Sequence, residues 1–179
     1  LNGVAWQRNE HGNMFVTTDG HRLTALDNGL GSDGDPISVI IPKGAVAWLV
    51  AHSKTNTDVV IRGMEASFVC GSTVLTAKLI DSTYPDWRRI LPSFEGDPFL
   101  AVTVKRERLM EAVVRVCIDN EYMAVKLHGI DGQLWVERKS AKAKAFADWP
   151  TNGADKHPGF NATYLRSTLI GNGPMRIVQ

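Results

Sequence analysis

Short apolar runs separated by polar turn residues open the chain, and this pattern predicts a β meander. Residues 4–7 and 14–17 flank a turn-rich polar stretch, which is typical of a hairpin. An Asp-Gly turn signal follows, and the next strand is predicted over residues 21–26. Residues 27–36, with the sequence DNGLGSDGDP, have the composition of a loop. The chain is therefore expected to begin with three strands that end in a loop.

Beyond this meander, a unit of one strand, one helix and three strands recurs roughly every 60 residues. In the first copy, Pro42 is expected to open a helix that runs to about Ala51, because proline suits the first helical turn. The second copy has its helix over residues 105–118 and a hairpin signal at Asp131-Gly132. The strands predicted for the two copies cover residues 37–41, 57–62, 66–70, 73–78, 99–104, 123–127, 134–138 and 142–148.

A third copy of the unit starts at residues 159–160. Asn161 is a good N-cap residue, Leu165 and Leu169 share one helix face, and Gly171 suits a C-terminal cap. A last strand is predicted over residues 175–178. Two units make one domain when their sheets pack on the inner faces of the helices. The repeat thus predicts a truncated α+β repeat protein.

Composition is that of an ordinary globular protein, with 44% hydrophobic and 22% charged residues in 179. The formal net charge of +1 means that any affinity for DNA depends on local clusters of Lys and Arg. Cys70 and Cys117 sit in apolar runs and are expected to be small buried hydrophobes rather than a disulfide. The sequence has neither a signal peptide nor an apolar run long enough to span a bilayer, so a cytoplasmic location without membrane contact is expected.

Catalytic chemistry finds little support in the sequence. The histidines at 11, 21, 52, 128 and 157 are dispersed, with no His-x-x-x-His or Cys-x-x-Cys pair. Asp19 and His21 have the residue types of a catalytic dyad, but two positions apart across a turn they are better explained as shaping that turn. The prediction is a protein that is not an enzyme and that uses no metal and no cofactor.

Three segments carry a resemblance to a known family. They are residues 18–23 (TDGHRL), residues 78–92 (KLIDSTYPDWRRILP), and Gly159-Phe160-Asn161 followed by Tyr164-Leu165. In this order and at these separations, the chain resembles the middle and C-terminal domains of the bacterial sliding clamp, the ring-forming beta subunit of DNA polymerase III. The opening Leu1-Asn2-Gly3-Val4 is similar to a strand of the same middle domain.

The resemblance implies the DNA-clamp fold, with a middle clamp-type domain over residues 1–95 and a C-terminal one over residues 96–179. The domain boundary is expected near residues 93–98. Clamps of this family have three domains per chain, and a head-to-tail dimer closes a six-domain ring. The chain starts without Met and is expected to be part of a longer protein. It lacks the first domain, the first strand and helix of the middle domain and the last strands of the third, so it is not expected to close a ring in that way.

The implied function is processivity, in which the clamp tethers polymerase to duplex DNA. The implied partners are duplex DNA, held weakly and without sequence preference, and polymerase and clamp-loader subunits, which bind through short peptides. The full-length protein is implied to be a homo-oligomer. An alternative is a stand-alone adaptor or decoy that binds the same peptides without encircling DNA.

The peptides of such partners bind in a groove between the middle and C-terminal domains of clamps. The positions that match its lining are Leu1, Thr18, Gly20, His21, Arg22, Leu23, Pro85, Arg89, Ile90, Asn161 and Tyr164. The apolar members would form a pocket, and the polar members would fix the peptide's orientation. From the residues alone, Leu23 and Ile90 are better explained as core residues of their strands; with the resemblance, the groove is the preferred interpretation.

Helices line the central hole of clamps, so basic residues on helices are the candidates for DNA contact. On the helix predicted over residues 105–118, Leu109, Ala112, Val113 and Val116 share one face. The DNA-facing candidates are Lys105, Arg108 and Arg115, with Glu111 between the two arginines. Arg138, Lys139, Lys142 and Lys144 form a second basic cluster near a strand turn. For both sets the alternative is solvated charge that keeps the protein soluble.

Overall fold

The computed structural model describes residues 2–53, 56–91, 101–118, 124–139, 141–148, 158–169 and 173–178. The chain divides into two compact units, Leu1–Leu91 and Pro92–Gln179, which we call the first and second units. The domain boundary expected near residues 93–98 lies outside the described residues. Helices and antiparallel sheets occur in both units, so the predicted α+β class is confirmed.

The first unit contains seven described strands, one α-helix and one 3₁₀ helix. They are β1 (Gly3–Asn9), β2 (Gly12–Thr18), β3 (Leu23–Asp27), β4 (Ile37–Pro42), α1 (Lys43–His52), β5 (Asp58–Arg62), β6 (Glu65–Cys70), β7 (Thr73–Lys78) and the 3₁₀ helix Trp87–Ile90. They form an antiparallel sheet in the order β3-β2-β1-β4 and a second one in the order β5-β6-β7. The predicted hairpin of β1 and β2 is confirmed, with Asn9 opposite Gly12.

Two apolar clusters lie on the two faces of the sheet β3-β2-β1-β4, because successive side chains of a strand point to opposite faces. One face carries Ala5, Val16 and Ile40, which are buried together with Tyr84 and Trp87. The other face carries Trp6, Phe15 and Ile41, which pack towards α1 and the sheet β5-β6-β7. We call these the outer and inner faces of the sheet.

Several predicted element boundaries in the first unit shift by one or two residues, and two of these shifts have a clear local cause. The helix α1 begins at Lys43, one residue later than predicted, because Pro42 is still extended with φ −66° and ψ 147° and acts as the N-cap residue. The strand predicted over residues 21–26 begins at Leu23, because the side chain of Asp19 holds the amides of His21 and Arg22 in a turn.

The second unit repeats this arrangement. Its elements are β8 (Ala101–Lys105), α2 (Arg106–Val116), β9 (Ala124–Ile130), β10 (Gln133–Arg138), β11 (Ala141–Asp148), β12 (Gly159–Asn161), α3 (Ala162–Thr168) and β13 (Pro174–Val178). The sheets have the orders β11-β10-β9-β12 and β13-β8. The first of these has the same topology as β3-β2-β1-β4, which fits the internal repeat seen in the sequence.

The helix α2 is amphipathic as its sequence predicts. Leu109, Ala112, Val113 and Val116 are all buried, and they pack in one cluster with residues of β9, β10 and β11. At α3, the predicted N-cap is confirmed, since Oδ1 of Asn161 accepts hydrogen bonds from the amides of Thr163 and Tyr164 at 2.9 and 3.3 Å. The helix ends at Thr168, and the C-terminal cap expected at Gly171 lies outside the described residues.

Both cysteines are free thiols. Cys117 is buried at the end of α2, where burial raises the pKa of its thiol, and Cys70 is partly buried at the end of β6. Within the described part of the chain, no helix combines the length and the apolar character needed to cross a membrane.

Candidate peptide-binding surface

The motif TDGHRL forms the tight turn between β2 and β3. The hydroxyl of Thr18 donates to the carbonyl oxygen of Arg22 at 2.7 Å and accepts from the amide of Gly20 at 3.1 Å. Gly20 has a φ of 86°, a conformation that residues with a β-carbon rarely adopt. Thr18 and Gly20 therefore stabilise the turn itself. The exposed side chains of His21 and Arg22 lie at its tip.

Asp19 fixes the direction of this turn. Its Oδ1 accepts from the amides of His21 and Arg22, each at 3.0 Å, and its Oδ2 accepts from Nε of Arg22 at 2.9 Å. These contacts hold the pKa of Asp19 below its usual value, and the largest contribution comes from the His21 amide. The expectation that Asp19 and His21 shape a turn is confirmed.

The second motif, residues 78–92, is described up to Leu91, and several hydrogen bonds attach it to the rest of the first unit. The amide of Leu79 donates to the carbonyl oxygen of Met64 at 2.8 Å, and the amide of Ile80 donates to that of Ile40 at 2.9 Å. Further along, Tyr84 and Trp87 are buried, and Nε1 of Trp87 donates to Oε1 of Gln7 at 2.9 Å. These contacts hold the 3₁₀ helix Trp87–Ile90 in place.

The two motifs meet at one apolar cluster on the outer face of the sheet. Leu23, partly buried at the start of β3, packs against the cluster that contains Tyr84 and Trp87. Leu23 is thus a strand residue in contact with the core, which agrees with the alternative interpretation that it is a core residue of its strand. For Ile90 that alternative is wrong, because the residue lies on the 3₁₀ helix with 69% of its surface exposed.

Around this cluster, several predicted groove residues present exposed side chains. Pro85 lies between the two buried aromatic residues, and Arg89 and Ile90 follow the second of them. Ile90 directly follows Arg89, and an exposed apolar side chain next to a guanidinium group suits a peptide that carries both apolar and polar groups. The first unit therefore brings two separate stretches of the sequence to one apolar cluster.

Three predicted groove residues are not part of this arrangement. Leu1 lies outside the described residues. Asn161 and Tyr164 belong to the second unit, where Asn161 caps α3 and Tyr164 is partly buried in its first turn. Their place on the far side of a groove stays a prediction.

The side chains of Tyr84 and Trp87 were not predicted as site residues, although both lie within the second motif. Both side chains are buried, so they anchor the segment that carries the exposed Pro85, Arg89 and Ile90. Within the described residues, the hydroxyl of Tyr84 is buried without a hydrogen-bond partner, and burial raises its pKa. The guanidinium of Arg88 lies 4.4 Å from the centre of the Trp87 ring, a cation–π contact that covers the indole.

The DNA-facing candidates lie at the start of α2 and along its exposed side. Lys105, Arg108 and Arg115 are exposed, and Nη1 of Arg108 lies 3.3 Å from Oε2 of Glu111. This ion pair offsets part of the positive charge of the helix face.

The second basic cluster also has acidic and structural contacts. Lys142 is paired with Glu137 at 3.6 Å, and Nη1 of Arg138 donates to the carbonyl oxygen of Val116 at 3.1 Å. Arg138 therefore helps to close the C-terminal end of α2. Among the residues that the structure describes, no three His, Cys, Asp or Glu side chains are grouped so that they could hold a metal ion.

The chain is similar in sequence to known beta sliding clamps. Residues 1–86 match the family described as DNA polymerase III beta subunit, central domain. The beta sliding clamp of Haemophilus influenzae is 31% identical over 179 residues, covering 94% of this chain and 48% of that protein. The beta sliding clamp of Pseudomonas aeruginosa is 30% identical over 192 residues, covering 99% of this chain and 51% of that protein.

A solved structure agrees with the sequence matches. The Pseudomonas aeruginosa sliding clamp bound to griselimycin has a TM-score of 0.81 at 27% identity, covering 99% of this chain and 50% of that chain. The Helicobacter pylori beta clamp bound to a DNA ligase peptide, at 24% identity and a TM-score of 0.75 over 99% of this chain and 51% of its own, shares the fold. These matches confirm the resemblance that the motifs indicated. The chain spans about half the length of the curated relatives it matches.

Proposed function

Since the chain belongs to the bacterial sliding clamp family, we propose that it forms part of a DNA polymerase processivity factor. In this proposal, residues 1–95 are a middle clamp-type domain and residues 96–179 a C-terminal one. The protein tethers polymerase to duplex DNA in the cytoplasm by binding alone, without catalysis and without a cofactor. No finding favours the stand-alone adaptor or decoy.

The single observation that carries the proposal is the meeting of two family motifs at one apolar cluster. Leu23 packs on the cluster of Tyr84 and Trp87, and the exposed Pro85, Arg89 and Ile90 lie on the segment that these two aromatic residues anchor. We propose this surface as the middle-domain side of a peptide groove. The solved clamp of Helicobacter pylori is described with a bound DNA ligase peptide, which supports a peptide as the ligand class.

The groove in this proposal also uses Leu1, the polar turn of Thr18, Gly20, His21 and Arg22, and Asn161 and Tyr164 of the second unit. Its partners are polymerase and clamp-loader subunits that carry short motifs of a Gln followed by two or three large apolar residues. Burial of two apolar side chains contributes roughly 3–6 kcal/mol before ordering costs. We therefore expect affinity in the micromolar range or weaker.

Duplex DNA is the second proposed partner, contacted through Lys105, Arg108 and Arg115 in a ring formed by copies of the full-length protein. A clamp that slides along DNA must bind phosphates weakly and make no base contacts, because tight or sequence-specific contacts would stop it at one position. The pairing of Arg108 with Glu111 fits such weak holding, since it leaves the face of α2 only moderately positive.

The groove is tested by titrating a labelled peptide with this Gln-apolar pattern into the wild type and three variants. Ile90→Asp places a charge on the exposed apolar member, and Arg89→Ala removes its guanidinium neighbour. Val74→Asp is the matched control, because Val74 is 59% exposed on β7 and is not a groove candidate. Circular dichroism checks that each variant is folded.

The expected result is that Ile90→Asp abolishes binding, Arg89→Ala weakens it, and Val74→Asp leaves it unchanged. Equal binding by all four proteins would show that the groove is not where we propose it. The same conclusion would follow if binding persisted after the apolar residues of the peptide were replaced by Ala.

A further inference from the structure

Tyr84 carries a polar group for which the apolar cluster on the outer face of the first sheet offers no partner. The residue is 8% exposed and is buried in the same cluster as Trp87. Its hydroxyl oxygen is buried, and none of the described residues forms a hydrogen bond with it. Trp87 differs, because its indole N–H donates to Oε1 of Gln7 at 2.9 Å. Tyr84 thus buries a polar group that the fold of the first unit does not use.

The hydroxyl costs stability and adds little to the packing of the cluster. The other members are apolar apart from the indole N–H of Trp87; they are Ala5, Met14, Val16, Leu23, Ala25, Ile40 and Ile80. Phenylalanine has the same ring, whereas a hydroxyl that leaves water without gaining a partner is unfavourable. Burial also raises the pKa of Tyr84, so the phenol stays protonated at neutral pH and remains a hydrogen-bond donor. A ligand that supplies the missing acceptor would account for this group.

The position of Tyr84 brings this donor to the candidate peptide-binding surface. The next residue is the exposed Pro85, and the same segment carries the exposed Arg89 and Ile90. Leu23 of the first motif packs against the cluster that contains Tyr84, and it is only partly buried there. Its side chain therefore lies at the border between the cluster and solvent. An apolar side chain that inserts beside Leu23 would reach the cluster that holds the buried hydroxyl.

We propose that the Tyr84 hydroxyl donates a hydrogen bond to a main-chain carbonyl oxygen of the bound peptide, next to the apolar side chain that inserts beside Leu23. An apolar side chain has no acceptor of its own, but its insertion removes the adjacent main-chain carbonyl from water, and that carbonyl needs a donor. The hydroxyl supplies this donor when the peptide displaces the side chain of Leu23. Tyr84 then helps to fix the register of the peptide, which apolar contacts alone do not. The inference rests on the proposed peptide groove and adds a buried donor to its exposed residues.

The test compares the wild type with Tyr84→Phe, which removes only the hydroxyl. Ser67→Ala is the matched control, because it also removes one hydroxyl, and Ser67 lies on β6, pairs with Thr76 at 2.9 Å and is not a groove candidate. The labelled peptide with the Gln-apolar pattern is titrated into each protein and into Ile90→Asp, which reports on the groove itself. A second series of peptides replaces one main-chain amide at a time by an ester, whose carbonyl is a weaker acceptor. Nuclear magnetic resonance of isotope-labelled tyrosine follows the ring Cζ of Tyr84, identified by its loss in Tyr84→Phe.

Without peptide, Tyr84→Phe should melt at or above the temperature of the wild type, because no hydrogen bond is lost. It should nevertheless bind the peptide about three- to tenfold more weakly, while Ser67→Ala binds like the wild type. One of the esters should weaken binding to the wild type without weakening binding to Tyr84→Phe. Saturating peptide should also shift the Cζ resonance of Tyr84, because its hydroxyl gains an acceptor.

The role of Tyr84 is overturned if Tyr84→Phe binds the peptide as tightly as the wild type, or if no ester effect depends on Tyr84. It is also overturned if Tyr84→Phe lowers the melting temperature without peptide, because the hydroxyl would then be hydrogen-bonded in the free protein. Loss of binding in Ile90→Asp together with unchanged binding by Tyr84→Phe refutes the role of Tyr84 and leaves the groove intact. If the wild type does not bind the peptide, or if Ile90→Asp binds it equally, the groove itself is wrong and the role of Tyr84 is overturned with it.

Discussion

Nε1 of Trp87 donates a hydrogen bond to Oε1 of Gln7 at 2.9 Å, across 80 residues of sequence. The contact joins the 3₁₀ helix that carries Arg89 and Ile90 to the strand β1 at the centre of the first sheet. The exposed groove candidates Arg89 and Ile90 thus depend on a partly buried polar pair for their position.

This relationship predicts coupled stability effects. Gln7→Ala leaves the indole N–H without its acceptor, and we expect it to lower the free energy of unfolding by about 1–3 kcal/mol. Urea titrations of Gln7→Ala, Trp87→Phe and the double variant measure the coupling between the two side chains. The double variant should be less destabilised than the sum of the single variants by about 0.5–3 kcal/mol. Strictly additive losses would contradict a direct interaction.

The exposed arginines of α2 should be dispensable for folding. The double variant Arg108→Ala with Arg115→Ala removes exposed side chains, one exposed ion pair and the cation–π contact of Arg108 with the exposed Phe146 ring at 5.5 Å. Since contacts at the surface contribute little, its melting temperature should stay close to that of the wild type. Leu109→Ala on the buried face of the same helix is the comparison, with an expected loss of about 2–5 kcal/mol. A large drop in melting temperature for the arginine double variant would mean that these side chains support the fold.

Affinity for duplex DNA should be weak, independent of sequence and strongly reduced by added salt, since a net charge of +1 leaves only local basic patches to bind phosphates. Fluorescence anisotropy over a salt series measures the slope of log K against log salt. The arginine double variant should reduce that slope by up to about 2, roughly 1 for each arginine that no longer pairs with a phosphate. Tight binding that discriminates between DNA sequences at physiological salt would be incompatible with a clamp.

The turn at Asp19 should respond to acid. The pKa of Asp19 is lowered in the folded protein, so its stabilising contribution is present above the unfolded pKa near 3.8 and is lost as pH falls through the lower folded value. Nuclear magnetic resonance titration of the carboxyl should give a pKa below 3.8. In Asp19→Asn, the amides of His21 and Arg22 should no longer shift over this acidic range. An Asp19 pKa at or above 3.8 would mean that these hydrogen bonds are not formed in solution.

Much of the fold could be predicted from local sequence. Examples are the hairpin of β1 and β2, the amphipathic α2 and the N-cap at Asn161. Each depends on residues that are close together in the sequence, so a short stretch of sequence contains the whole pattern. The small shifts at Pro42 and Leu23 have equally local causes, an extended proline and the side-chain hydrogen bonds of Asp19. Family motifs within residues 18–23 and 78–92 also identified candidate groove residues.

By itself, therefore, the sequence determined the order of strands and helices, the buried face of α2 and the resemblance to the sliding clamp family. Only the tertiary structure decided which residues of the second motif are anchors and which are exposed: Trp87 is buried against β1, while Ile90, three residues later, faces solvent. It also decided that Leu26 and Val50 line an open cleft, although their apolar character alone suggests burial. The reason is that exposure depends on which distant elements pack against a residue, and no local pattern of apolar and polar positions encodes those contacts.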